Sequence, residues 1–208
     1  MTRYKEDDVR RQMTPYHGRI VDVVRRGHGE WVAVKKFMAK SGFGSVLYPR
    51  TVANHVFDAV VRSALAEFAD DPDIRIIDET QTIKFCFGNV VLARFKKGDE
   101  DNLGRNQPTQ AVLDFVSAQG NLPGFAPSAA KVEILYSVDT IEDGIERIVI
   151  AARDGANLLW HYELDDDTEA NAVIPFPEPA PLQSDDADDE QIVTPRKRGE
   201  DAADDKGD

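Results

Sequence analysis

The sequence predicts an α+β fold: N-terminal helices, a mostly antiparallel sheet (three strands, helix, three strands) and a disordered acidic C-terminal tail. Three observations predict it. Residues 51–68 carry apolar side chains at a spacing of three and four. Six later segments alternate apolar and polar residues between short turns. After Leu164 the alternation stops, and aspartates and prolines take over.

Two apolar clusters precede the clear helix. Ile20, Val21, Val23 and Val24 form the first, and Trp31, Val32, Val34, Phe37 and Met38 the second. Gly27-His28-Gly29 between them predicts a helix break, and Gly42 and Gly44 end the region. Thr51 is the expected N-cap of the next helix and Asp70-Asp71-Pro72 its stop. Strands are predicted from Ile74 and from Ile83 to Phe87, and Gly88-Asn89 is a two-residue hairpin signal before the return from Val90 to Lys97. A polar loop follows, then a helix with Pro108 in its first turn and Gly120 at its end. Three more strands are predicted over 131–138, 145–152 and 157–164, the last two joined at Asp154-Gly155. Short hairpins imply mostly antiparallel pairing, with the helices on one face of the sheet. The domain expectation is a basic helical region over 1–49, an α+β core over 50–164 and a tail over 165–208.

The chain of 208 residues has a formal charge of −13, unevenly placed. Residues 165–208 hold 15 acids and 4 bases, whereas residues 1–50 hold 11 bases and 5 acids. A basic start, a mildly acidic middle and an acidic end leave the low isoelectric point to the tail. The single cysteine, Cys86, excludes an intramolecular disulfide and points to a cytoplasmic location. No leader-like segment opens the chain, and no apolar run approaches the roughly 18 residues of a membrane span, so no membrane partner is expected.

No catalytic constellation emerges. Gly42-Phe43-Gly44 is too short for a dinucleotide loop. His17, His28, His55 and His161 lack the close pairing or cysteine partners of a metal site. Cys86, in an apolar strand, reads as a packing residue. Neither metal nor cofactor is expected. The element order does match a restriction-endonuclease-like core, whose chemistry needs two carboxylates around a metal. The third strand, Leu92-Ala93-Arg94-Phe95-Lys96, has a lysine but no acid, and Glu79 and Lys84 are wrongly spaced. Such a core is then expected to be catalytically empty.

The densest functional signal is cationic. Arg94, Lys96, Lys97 and Arg105, with Asn106, fall near a helix start in an otherwise acidic middle region, which suits an anionic group or partner. Strand alternation puts Arg94 and Lys96 on one face and Lys97 on the other. The competing explanation is a solvated strand end paired with Asp99, Glu100 and Asp101.

The run Arg94-Phe95-Lys96-Lys97, with Arg105-Asn106-Gln107-Pro108-Thr109-Gln110, Leu122-Pro123-Gly124 and Trp160-His161-Tyr162-Glu163-Leu164, resembles an uncharacterised bacterial family over roughly residues 50–164. Members of that family are often encoded beside IrrE-type metallopeptidase and helix-turn-helix repressor genes. The resemblance implies a role in mobile-element, phage-related or stress and defence regulation, and a protein partner such as an IrrE-type peptidase or a repressor. It carries over no active-site residue. The functional expectation is a non-enzymatic interaction or regulatory protein that binds an acidic protein or ligand surface. The alternative is a nucleic-acid-binding protein with an empty nuclease-like core.

Overall fold

A computed structural model describes residues 5–79, 82–104, 110–117, 129–139 and 144–164. The expected tail lies outside the described residues, as do Arg105, Asn106, Pro108 and Gly120.

The chain begins with α1 (Glu6–Met13), which a short 3-10 turn at Thr14–Tyr16 joins to α2 (His17–Lys40). Acids in the first turn of α1 and arginines in its last suit the helix dipole, and Val9 and Met13 supply its buried side. α2 runs without a break through Gly27-His28-Gly29, against the expectation of an interruption there. The reason is packing against α3 (Pro49–Phe68). A Cβ on Gly27 would stand 2.5 Å from the backbone of Val60, so this glycine lets the two helices cross at close range. Packing of the pair outweighs the roughly 1 kcal/mol that glycine costs a helix interior. α3 starts earlier than Thr51, because Pro49 occupies the first turn and Tyr48 takes the cap position.

Six strands follow, β1 (Ile74–Glu79), β2 (Thr82–Phe87), β3 (Val91–Lys97), β4 (Ala130–Val138), β5 (Ile145–Asp154) and β6 (Asn157–Glu163). They form one sheet in sequence order. All neighbours are antiparallel except β3 and β4, which run parallel. The parallel pair follows from the long connection that contains α4 (Gln110–Val116). At the β2–β3 hairpin Gly88 and Asn89 both have positive φ, 54° and 58°, as this tight turn demands. Val90 is an extra residue there, so Phe87 pairs with Val91.

The helices occupy both faces of the sheet, not one. α1, α2 and α3 cover the face made by Phe85, Phe87, Ala93, Phe95, Ile134 and Ile150, and together they form the main core. The N-terminal helices and the sheet therefore share one apolar interior. α4 lies on the opposite face, where Phe115 and Val116 pack on Cys86 and Leu92. Its C-terminal carbonyls are held from the sheet: Lys131 Nζ donates to Asp114 O at 3.0 Å and to Ser117 O at 2.6 Å. Among the described residues no helix is long and apolar enough to cross a membrane.

Candidate functional site

Two regions of the fold concentrate charge or exposed apolar surface, one on each side of the sheet. The first holds the cations singled out from the sequence. Strand alternation aims Arg94 at the α4 face, directly across the ladder from Glu133 of β4. Both side chains are buried, at 1% exposure each. Arg94 Nε and Nη2 donate to Glu133 Oε1 at 3.1 and 2.6 Å, and the guanidinium lies 4.3 Å from the Phe115 ring centroid. The other carboxylate oxygen of Glu133 accepts from the Gly104 N–H at 3.3 Å and stands 3.7 Å from Arg153 Nη1. A tight loop after β3, in which Asp99 Oδ1 accepts from the N–H groups of Asp101 and Leu103, carries Gly104 to this position. A Cβ on Gly104 would come 2.9 Å from Glu133 Oε2, so only glycine fits that approach without displacing the carboxylate.

Arg94 is thus engaged inside the protein. Lys84, also buried, is paired with Glu79 at 2.6 Å on the same side of the sheet. Each carboxylate in this cluster is tied to a cation, an arrangement that holds strands and loop together. Lys96 is half-buried, its ammonium 5.4 Å from the Phe57 ring centroid. Burial pulls its pKa below the usual lysine value, and the neighbouring Arg94 lowers it further. Lys97 is exposed on the other face, in line with the alternation. Cys86 is fully buried, and burial pushes its thiol pKa up, as suits a packing residue.

The second region was not singled out from the sequence. α2 and α3 form an antiparallel hairpin whose base is closed by ion pairs. Arg19 reaches Glu67 at 2.9 Å and Asp71 at 2.5 Å, and Arg26 reaches Glu67 at 2.6 Å. At the opposite end, the apex, large apolar side chains are exposed instead. Phe37, Phe43, Leu47 and Tyr48 are 63%, 61%, 84% and 63% exposed there, four of the seven large apolar residues exposed in the described structure. Single exposed apolar residues need no explanation, but four within twelve positions form a patch. Phe37 and Phe43 meet edge to face, with centroids 6.3 Å apart. Lys36, Lys40 and Arg50 are exposed on the same stretch, and among the described residues none has an acid partner. By contrast Arg10, Arg11, Arg19 and Arg26, nearer the start of the chain, all do.

A half-open groove of about 370 Å³ begins beside this apex. Trp31 of α2, Val52 of α3 and Leu47 of the connector wall it, His28 and Tyr136 lie deeper, and Lys97 and Asp139 also line it. Comparison of the chain with protein-family models, curated proteins and solved structures returns no match.

Proposed function

We propose that this protein is a non-enzymatic interaction module that binds an acidic partner protein through the α2–α3 apex. The observation that carries the reading is the apex itself: four exposed large apolar side chains interleaved with Lys36, Lys40 and Arg50. An apolar centre with a charged rim is the composition of protein interfaces, and the sign of the rim selects an acidic partner. The cluster at Arg94 contributes to this function by stiffening the sheet, because its guanidinium is occupied by Glu133. The resemblance noted above makes a regulatory role in a bacterial mobile-element or stress module the context to test first, with an IrrE-type peptidase or a repressor as the first partner to try.

The exposed aromatics also favour a second reading, in which Phe37, Phe43 and Tyr48 stack on nucleic-acid bases while the lysines meet phosphates. Salt separates the two. Nucleic-acid binding falls steeply with ionic strength, and an interface with an apolar centre falls less. The test is affinity capture from the native host with the wild-type chain, Leu47→Ser/Tyr48→Ser and, as a surface control, Leu159→Ser. Capture of an acidic protein by the wild type and the control, lost with the apex variant, supports the proposal. Capture that is indifferent to the apex substitutions refutes it.

A further inference from the structure

The groove beside the apex has features that an exposed patch alone does not need. Its walls come from α2, α3 and the connector between them, and its deeper part from the strand pair β3–β4. Tyr136 is fixed there by the sheet and is 1% exposed, and His28 is 5% exposed. Lys97 reaches the groove because it shares a strand face with Ala93 and Phe95, both buried in the core beneath the helices. It stands beside Tyr136 in the ladder, and it forms no ion pair among the described residues. Asp139, three positions beyond Tyr136 on the same chain, also lines the groove.

A volume of about 370 Å³ lies at the low end of the roughly 300–1,000 Å³ of small-molecule pockets. Such pockets enclose most of their ligand, whereas this one is open along Leu47, which is 84% exposed and is followed in the chain by Tyr48, 63% exposed. The apolar surface therefore extends well past what one small molecule covers. Lys36, Lys40 and Arg50, which have no acid partner among the described residues, lie nearby, so the surface favours an occupant that is extended, acidic and apolar in one place.

We infer that the groove is an anchor pocket: it takes one apolar side chain of an acidic partner segment between Trp31 and Val52, and Lys97 pairs with a carboxylate next to that anchor. This rests on the interface proposed above and adds an orientation to it. The acidic flank of the segment lies towards Lys97, and the anchor is aromatic or long aliphatic. Filling the groove and removing the anchor are equivalent in this account, because both deny the same contact.

The test uses the full chain and three synthetic fluorescein-labelled peptides, followed by anisotropy. One carries six glutamates around a single phenylalanine, one has that phenylalanine changed to alanine, and one has the glutamates changed to lysines. The first is expected to bind, with the other two at least tenfold weaker. Ala53→Trp, which fills the groove, should weaken the first peptide at least tenfold, and Lys97→Gln should weaken it severalfold. If Ala53→Trp does not fold, the Trp160→Phe chain serves instead, since Trp31 is then its only tryptophan. Its emission should shift to the blue on addition of the phenylalanine peptide and not of the alanine one.

The inference is overturned if the phenylalanine peptide does not bind at millimolar concentration, if it leaves Trp31 emission unchanged, or if Ala53→Trp binds it as the wild type does. It is also overturned if N-acetylphenylalanine binds as tightly as the peptide, since the site then belongs to a small ligand. Partner capture lost in Leu47→Ser/Tyr48→Ser but intact in Ala53→Trp sinks the groove and leaves the interface standing. Peptide binding in the groove, with partner capture indifferent to the apex variant, does the reverse.

Discussion

Substituting glutamine for Glu133 removes one charge from a place where no water replaces it. Glu133 and Arg94 are each 1% exposed, and the carboxylate is the acceptor for Arg94 Nε, Arg94 Nη2 and the Gly104 N–H. The variant leaves a guanidinium buried against Phe115 with no carboxylate hydrogen-bonded to it, and Arg153 loses its acid at 3.7 Å. Breaking a buried pair from one side costs about 3–5 kcal/mol. For a domain of this size each kcal/mol shifts the melting temperature by about 2–4 °C, so a loss of roughly 6–20 °C is expected. Arg94→Met should cost less, because Arg153 and the Gly104 N–H still face the orphaned carboxylate. The double variant Arg94→Met/Glu133→Leu should recover most of the loss, as apolar replacements of buried pairs often do. Urea unfolding followed by circular dichroism on these chains, with Glu133→Leu alone as the second single variant, closes the double-mutant cycle. A cost below about 1 kcal/mol for Glu133→Gln would refute the reasoning, since a pair worth so little behaves like one at the surface. So would a normally stable Arg94→Ala that fails to bind partner, because Arg94 would then be a contact and not a strut.

Three further outcomes follow from the packing. Gly27→Ala should destabilise by about 1–3 kcal/mol, as an overpacked helix crossing does, while Gly29→Ala, whose added Cβ meets nothing within 4 Å, should be neutral or gain up to about 1 kcal/mol in thermal unfolding. His17 Nε2 lies 3.3 Å from the Tyr162 hydroxyl, and burial, aided by Arg10, holds its pKa below the ordinary 6.5. The unfolded chain therefore takes up that proton first, so stability present above pH 6.5 should fall as pH drops from 6.5 towards the lower folded value, and His17→Gln should flatten that part of the profile. Cys86 should be inert to a thiol reagent in the folded state and react fully in denaturant; rapid labelling of the native chain would contradict its burial.

The strands were legible because alternation and turn chemistry act locally. Gly88-Asn89 and Asp154-Gly155 mark two of the four antiparallel hairpins, and Phe85 and Phe87 mark the core face. Gly27 was not legible in the same way. In one dimension it is a weak helix former, and only the position of Val60, 33 residues away in sequence, turns it into a contact. The face of α4 was hidden for a related reason: its partners Cys86 and Leu92 alternate with residues of the larger core, and a strand buried on both sides loses the polar half of its pattern. Arg94 read as a surface cation because arginines usually are. The signal that it is not was present in β4, where Glu133 sits between Val132 and Ile134 in a strand with too few polar positions for a solvated face. An acid in such a strand needs a cation, and the parallel register supplies Arg94. The apex escaped notice because periodicity reports which residues share a side, not which side lacks a neighbour. Phe37 and Met38 fit a helix, and their run up to Gly42 and Gly44 looked like an ordinary helix end.

Hydrogen–deuterium exchange of the full chain, with and without its captured partner, reports directly on whether the partner covers the α2–α3 apex. Protection is expected in peptides spanning 36–53 and at the β3 end that carries Lys97, while β1, β2 and α4 stay unchanged. Protection confined to the α4 face around Arg94 and Lys84, with the apex exchanging as in the free chain, would contradict the proposed apex interface.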